Sequence, residues 1–262
     1  MVKLLENSRD IAVLGAGATG QSILRFLDLQ VNKVSVFDSA STIKKQTDIR
    51  ALFPSVVSFF DYFKLDELRA ADLVVVSPGV DLRQPVLRQL AEEGVFLCSD
   101  IEIFCQHAAA PIIAITGSNG KTTVATLVAQ ALELAGKQVL LGGNIGTPAL
   151  DLLAQPVPDY YVLELSSYQL ESTYSLQNHI AVLLNVTPDH MDRYDSYQSY
   201  IAAKRNVYRN AAVAIANADE SNEVIGAIKC ANQLLFSLQG EGGVAIQRGQ
   251  VVFEGVPLFS VK

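Results

Sequence analysis

The chain has 262 residues, half of them apolar and 18% charged, with a formal net charge of −7. Such a composition excludes a disordered chain, and the acidity without any Lys/Arg block excludes a nucleic-acid partner held by charge. The length suits one large domain or two modest ones, each burying its own core. Cys98, Cys105 and Cys230 form no CxxC pair, and an odd count in a chain this long points to reduced, buried thiols. Met1–Asn7 lacks the apolar core of a signal peptide. No uninterrupted apolar run reaches the roughly 18 residues that span a bilayer. A cytoplasmic protein with no membrane partner is expected.

From residue 10 to about 98, short apolar runs alternate with helical patterns. Ile11–Gly15 reads as a strand, Thr19–Leu29 as a helix and Lys33–Asp38 as a second strand. A Ser/Thr-started helix over 41–52 precedes strand Val56–Phe60, helix Leu65–Ala70, strand Asp72–Ser77, helix Pro85–Glu93 and strand Val95–Cys98. Strands joined by helix-length connections run parallel, because a short turn cannot make that crossover. A second series follows: strand Ile112–Thr116, helix Lys121–Ala135, and strands Val139–Leu141, Tyr160–Leu165 and Ile180–Val186. Helix Tyr197–Asn210 and strand Val213–Asn217 continue it, and Gly243–Gln247 with Val251–Glu254 reads as a β-hairpin around Arg248-Gly249-Gln250. The expected fold class is α/β, with two doubly wound nucleotide-binding-type domains and mainly parallel sheets. Residues 1–99 form a Rossmann-like domain and residues 100–262 a P-loop domain ending in a small hairpin region.

Each series opens on a glycine loop. Gly15-Ala16-Gly17-Ala18-Thr19-Gly20 lies between a strand and a helix, where a dinucleotide fingerprint belongs. Gly15 allows the tight turn, Gly17 lets the backbone approach a pyrophosphate at the helix N-terminus, and Gly20 permits close packing of helix on sheet. Asp38, 18 residues beyond Gly20, could bond a ribose hydroxyl. On these residues alone NAD is the default ligand, with an empty glycine turn as the ordinary alternative. The loop itself reads phosphates and a sugar, which any nucleoside diphosphate supplies. The second loop, Thr116-Gly117-Ser118-Asn119-Gly120-Lys121-Thr122-Thr123, opens the helix at Lys121. Its N–H groups converge on phosphate, Lys121 supplies a cation and the Thr122 hydroxyl can ligate Mg²⁺. Ile115 stands where the usual spacing has its first glycine.

Two further side chains fall on the same edge of this second sheet as Lys121. Glu164 ends the apolar strand Tyr160–Glu164, and a carboxylate buried there is costly unless it meets a cation. It imitates the strand-end acid that holds Mg²⁺ in P-loop enzymes, against the ordinary reading of a capped or salt-bridged glutamate. His190 follows strand Ile180–Val186, and ligands of open α/β sheets bind at the carboxyl ends of strands, so Lys121, Glu164 and His190 converge. Lys204, taken alone, reads as a surface lysine, and His107 and His179 receive no role.

These motifs resemble the Mur ligase family over residue 10 to the end. Thr116–Thr123 resembles the family's ATP loop, and Ser77-Pro78-Gly79 and Gly142-Gly143-Asn144-Ile145-Gly146 resemble two of its turns. Glu164-Leu165-Ser166-Ser167-Tyr168-Gln169-Leu170-Glu171 and Asn185–Tyr194 resemble segments typical of the D-glutamate-adding branch. The resemblance implies that the first domain binds a UDP-sugar rather than NAD, through Ala18, Thr19, Asp38, Ser39 and Gly79. It implies that Asn144, Ser166, Gln169 and His190 lie near the muramoyl-alanine end. Gly117, Ser118, Asn119, Gly120, Lys121, Thr122 and Thr123 would bind ATP, and Thr122, Glu164, His190 and a carbamylated Lys204 would serve Mg²⁺. Lys121, Glu164, His190 and Lys204 are thus the expected catalytic set. The implied reaction adds D-glutamate to UDP-N-acetylmuramoyl-L-alanine through an acyl phosphate, by a monomer whose partners are small molecules. The family continues into a third, amino-acid-binding domain that nothing here matches, so a fragment unable to ligate alone is expected. Three readings stay open: another ligase of the superfamily, an NAD-dependent oxidoreductase, and a module that holds a UDP-sugar without chemistry.

Overall fold

The computed structural model describes residues 4–28, 33–39, 42–60, 63, 65–226, 228–239 and 243–260. The helix end expected at Leu29, the helix start expected at Ser41 and the chain end at Lys262 lie outside the described residues. The chain divides into two compact units. The first comprises Met1–Ala108, Thr147–Pro156 and Ser172–Tyr174; the second comprises Ala109–Gly146, Val157–Glu171 and Ser175–Lys262.

The first unit runs α1 (Leu4–Asn7), β1 (Asp10–Leu14), α2 (Ala18–Asp28), β2 (Lys33–Asp38), α3 (Ile43–Leu52), β3 (Val57–Phe60), α4 (Leu65–Arg69), β4 (Leu73–Val76), α5 (Pro85–Glu92), β5 (Phe96–Ser99) and α6 (Asp100–His107). All five strands pair in parallel, in the order β3-β2-β1-β4-β5. The most continuously apolar runs, in β1 and β4, take the positions beside or at the centre, where both faces are covered. Helix starts follow local chemistry: Thr42 Oγ1 accepts from Lys45 N at 3.3 Å before α3, and Pro85 occupies the first turn of α5. One face of the core joins Ala12, Leu14, Phe37, Val74 and Val76 to Leu87 and Leu90 of α5.

Gly20 sits so close to the preceding turn that a Cβ there would meet Gly15 O at 1.8 Å. Alanine at this position is expected to destabilise the first unit by about 3 kcal/mol or more, since backbone on both sides must move. Urea unfolding measures this, and a loss below about 1 kcal/mol would show that helix and loop can separate freely.

A domain boundary at 99/100 puts α6 with the second series, yet α6 belongs to the first unit. Ile101, Ile103 and Phe104 are buried, and Ser99 Oγ caps Glu102 N at 3.3 Å. The same turn holds a distant segment: Ser99 N donates to Ser172 O at 2.9 Å, and Tyr174 N donates to Glu102 Oε2 at 2.6 Å. The Ser-x-x-Glu capping signature was present at 99–102 but stood outside the strand-and-helix alternation.

The second series runs β6 (Ile112–Thr116), α7 (Lys121–Leu134), β7 (Val139–Gly143), α8 (Ala149–Leu152), β8 (Tyr160–Glu164), α9 (Ser167–Glu171), β9 (Ile180–Leu183), α10 (Tyr197–Arg205), β10 (Val213–Asn217), α11 (Asn222–Ile225), β11 (Asn232–Ser237), β12 (Val244–Gln247), β13 (Gln250–Phe253) and β14 (Val256–Ser260). Of these, α8 lies in the first unit, where Asp151 pairs with Arg25 at 2.7 Å. The sheet order is β14-β13-β12-β11-β10-β9-β6-β8-β7, parallel from β7 to β12 and antiparallel for the last two pairs. The expected hairpin forms as β12 and β13, with Arg248 and Gly249 at φ +51° and +74° making the two-residue turn. Strand β11 was not expected, because its run begins Asn232-Gln233 and its apolar stretch is too short to stand out. Strand β9 ends at Leu183 rather than Val186, and α10 at Arg205 before a 3₁₀ turn, Asn206–Tyr208, rather than at Asn210. Among the described residues no helix is long and apolar enough to cross a membrane.

Candidate functional site

In the second unit the chain builds β8 and β7 on one side of β6, then crosses to place β9, β10 and β11 on the other. The chain connections after β6 and β9 therefore lead in opposite directions along the sheet, and open α/β sheets bind ligands at the carboxyl ends of strands at such a switch point. Register aligns those ends: Glu164 of β8 lies opposite both Ile115 of β6 and Gly143 of β7, and Thr116 lies opposite Leu183.

The phosphate loop leaves β6 at Thr116, whose Oγ1 donates to Leu165 O at 2.7 Å. Ile115, at the usual first-glycine position, is a fully buried strand residue, and β6 runs on to Thr116, so the loop begins only at Gly117. Gly120 enters α7 at φ +80°, a conformation suited to glycine. Lys121 Nζ folds back to donate to Gly117 O at 3.0 Å and Ser118 O at 2.9 Å. Thr122 Oγ1 donates to Glu164 Oε2 at 2.7 Å, and Asn144 Nδ2 donates to Glu164 Oε1 at 3.0 Å. Glu164 is only 3% exposed, so both carboxylate oxygens are held by neutral donors at the foot of α7. Asn144 reaches it because Gly143, at φ +102°, turns the chain sharply and lets Asn144 N donate to Glu164 O at 2.8 Å.

Lys204 is not a surface residue: it is 2% exposed, and its Nζ donates to Gly117 O at 2.8 Å. Burial, and then the positive charge of Lys121, draws its pKa down to about 7. It stands 4.7 Å from the Tyr200 ring centroid, one helical turn earlier in α10. His190 adopts a left-handed backbone, φ +56°, and lies with its ring 5.2 Å from that of Tyr168. Its Nε2 is 3.4 Å from Asp189 Oδ2.

Lys121, Asn144, Ser166, His190 and Lys204 line one cavity of about 280 Å³, together with Ser167, Tyr168, Asp189 and Tyr200. Glu164 sits one hydrogen bond behind this lining, through Asn144. Gln169 is buried and accepts from Ser166 N at 3.1 Å and Ser166 Oγ at 3.2 Å, so it braces the wall. Thr123, on the first turn of α7, is exposed, as are Asn119 and Gly120. Sequence reasoning assigned no role to Tyr168, Asp189 or Tyr200. Adjacency to His190 and the i, i−4 spacing from Lys204 were the signals available.

The donor set suits a magnesium ion. A hydroxyl and a carboxylate 2.7 Å apart offer hard oxygens beside a phosphate loop. Mg²⁺ is commonly held by one or two carboxylates plus substrate phosphates and water. Among the described residues no group of three or more His, Cys, Asp or Glu could hold a metal ion by itself.

The first unit's glycine loop is built separately. Gly15, at φ +88°, receives Ser77 Oγ on its carbonyl at 3.3 Å, while a Cβ on Gly17 would meet nothing. Asp38 is buried; its Oδ2 accepts from Ala16 N at 2.8 Å and from Lys45 Nζ. Ala18, Ser39 and Gly79 are exposed and Thr19 is partly buried. Lys45, a cation beside this loop, was not singled out from sequence, since it reads as an ordinary helix-surface residue.

Residues 115–256 match the family described as Mur ligase middle domain, and residues 9–99 match Mur ligase MurD-like, N-terminal domain. The UDP-N-acetylmuramoylalanine–D-glutamate ligase of Nitrosococcus oceani is 44% identical over 208 residues, 79% of this chain and 46% of that protein. The protein of the same name from Pseudoalteromonas translucida is 43% identical over 217 residues, 81% of this chain and 49% of that one. The chain thus spans about half the length of the curated relatives it matches. Among solved structures, UDP-N-acetylmuramate:L-alanyl-gamma-D-glutamyl-meso-diaminopimelate ligase from Neisseria meningitides aligns with TM-score 0.59 at 16% identity, covering 95% of this chain and 85% of that one. UDP-N-acetylmuramate-alanine ligase from Thermotoga maritima aligns with TM-score 0.54 at 19% identity, covering 97% and 60%; at such identities both speak for the fold. Two consecutive domain matches and relatives above 40% identity agree with the phosphate loop and its strand-end acid: the chain belongs to the Mur ligase family.

Proposed function

We propose that this chain carries the nucleotide sites of an ATP- and Mg²⁺-dependent ligase that joins D-glutamate to UDP-N-acetylmuramoyl-L-alanine in the cytoplasm. The observation that carries the reaction class is the Thr122–Glu164 pair set beside Lys121, above a cavity that also receives His190 and Lys204. The choice of D-glutamate rests on the names of the curated relatives. Location in a reducing compartment is supported by three unpaired cysteines, of which Cys98 and Cys105 have thiol pKa values raised by burial.

In the second unit, Gly117–Thr123 would take the ATP phosphates, with Lys121 turning from its loop carbonyls toward them. Thr122 and Glu164, with His190 and a carbamylated Lys204, would hold Mg²⁺, which when bound neutralises phosphate charge as it develops. Asn144, Ser166, Gln169 and His190 would position the L-alanyl end. Its carboxylate oxygen attacks the γ-phosphorus, ADP leaves, and an acyl phosphate forms. The amine of D-glutamate then attacks the acyl carbon, and phosphate departs from the tetrahedral intermediate. The protein's share is orientation and charge neutralisation in a shielded cavity.

In the first unit Ala18, Thr19, Asp38, Ser39 and Gly79 would take the uridine diphosphate. The competing NAD reading draws on the same glycine loop. Both readings use Asp38, whose Oδ2 is engaged with Ala16 N and Lys45, so this loop does not choose between them. Calorimetric titration with UDP-N-acetylmuramoyl-L-alanine and with NADH separates the two. Binding of the first alone is expected; binding of NADH alone would remove the ligase reading of this unit.

A second test concerns Lys204. With its folded pKa near 7 and its ordinary value 10.5, the unfolded chain holds a proton there that the folded chain lacks between those pH values. Stability is therefore expected to rise as pH increases from 7 toward 10.5, and to show no further contribution from Lys204 below 7, where both states hold the proton. Lys204→Met should flatten this slope in urea titrations. An unprotonated amine is also the form that attacks CO₂, forming the N–C bond of a carbamate and releasing a proton. A Lys204-dependent carbamate signal from ¹³C-labelled bicarbonate is expected at pH 8, and its absence would count against the modified ligand.

A further inference from the structure

We propose that Asn185 is a positioning residue for the phosphate loop, fixing Asn119 by a two-way carboxamide clasp and leaving the phosphates to the N–H groups of residues 120–123. The inference rests on the ATP-binding reading of this loop and adds which part of it is pre-formed and by what.

Leu184 N still donates to Thr116 O at 3.0 Å, as a strand residue would. Beyond it the chain runs alongside the loop instead of continuing the sheet. Asn185 Oδ1 accepts from Asn119 N at 2.9 Å, and Asn185 Nδ2 donates to Asn119 O at 3.0 Å. The side chain thus supplies both halves of a strand-like pairing. Next to it, Asn185 O accepts from Ser118 N at 3.0 Å. Ser118 Oγ exchanges hydrogen bonds with Thr187 O and Thr187 N, both at 3.0 Å, and Asn119 Nδ2 donates to Thr187 Oγ1 at 3.2 Å.

Only a carboxamide offers a donor and an acceptor on adjacent atoms at this reach; a carboxylate lacks the donor and leucine lacks both. The clasp has a cost for the loop's anion-binding capacity. A phosphate loop works through converging N–H groups, and those of Ser118 and Asn119 are already occupied. The first-turn donors of α7, at Lys121, Thr122 and Thr123, have no partner within the helix, and Gly120 at φ +80° precedes them. Phosphate oxygens are therefore received by residues 120–123, while 118 and 119 hold those donors in place. Without the clasp an exposed loop would have to be ordered on binding, at a cost that appears in affinity.

The probe is Mg²⁺ with inorganic tripolyphosphate, titrated calorimetrically into the wild-type chain, Lys121→Ala and Asn185→Ala, with urea unfolding of each. Asn185→Ala is expected to weaken binding about tenfold or more while remaining folded at the assay temperature. A merely structural residue would lower the unfolding midpoint and leave the affinity of the folded fraction unchanged. If the wild type binds, Lys121→Ala does not, and Asn185→Ala binds like the wild type, the clasp is overturned and the ATP reading stands. If the wild type itself does not bind, both are overturned. Amide hydrogen exchange of the wild type provides the measurement that needs no variant. The Asn119 N–H should be protected without ligand, and those of Gly120 and Lys121 only after tripolyphosphate is added. Exchange of Asn119 at an unprotected rate would overturn the clasp.

Discussion

Replacing Lys121 with alanine is expected to weaken Mg·ATP binding about a hundredfold while leaving the fold intact. Its ammonium donates to two carbonyls of the loop, Gly117 O at 3.0 Å and Ser118 O at 2.9 Å, which holds the charge at the phosphate loop. Charge-assisted hydrogen bonds contribute about 1.5–3 kcal/mol each, and two of them at the lower end amount to about two decades in affinity. Arginine should rescue poorly. Its planar fork needs more room than a point-like ammonium, and the loop is tight where a Cβ on Gly117 would already meet Leu184 Cβ at 3.1 Å. Calorimetry with Mg·ATP decides this, and an alanine variant that binds like the wild type would show that the loop does not read phosphate.

Gly143→Ala is the second large effect, on fold and site together. A Cβ there would stand 2.4 Å from Glu164 O, and the backbone is at φ +102°, so both contact and conformation oppose any side chain. A loss of about 3 kcal/mol or more is expected in urea unfolding. Because Gly143 pairs with Glu164 and positions Asn144, the variant should also lose Mg²⁺-dependent nucleotide binding under conditions where it stays folded. Gly146→Ala is the control. It too has positive φ, +60°, but open space around it, so a penalty of about 1 kcal/mol and normal binding are expected. Equal behaviour of the two variants would mean that the contact with Glu164 carries nothing.

The alternation of apolar runs with helical patterns made most of both sheets legible, because parallel strands covered on two faces need continuous hydrophobic stretches. Lys33–Asp38, Ile112–Thr116 and Val213–Asn217 form strands with the limits their residues suggest. What the pattern hid was decided by partners far along the chain. Helix α6 joins the first unit through Ser172–Tyr174, and β9 stops early because Asn185 and Thr187 turn to the phosphate loop. Lys204 illustrates the same limit in the site. Its charge reads as that of a surface residue, and the partner that receives its Nζ, the loop carbonyl of Gly117, is distant in sequence. Lys121 and His190 were readable as neighbours because strand order alone brings their loops to one edge. Glu164 proved to stand just behind the cavity wall rather than in it.

Between its two units the polypeptide changes membership five times, with Thr147–Pro156 and Ser172–Tyr174 belonging to the first although they interrupt the second. A single cut near Ala108 therefore cannot yield two self-sufficient pieces. A product starting at Ala109 would carry α8 without Arg25 and with Leu150 and Leu152 stripped of their cover, and the amino-terminal product would lack the segment that closes α6. Dissecting this molecule into separately expressed modules would demand grafted replacements for those two short insertions, because autonomy here is a property of the interleaved whole.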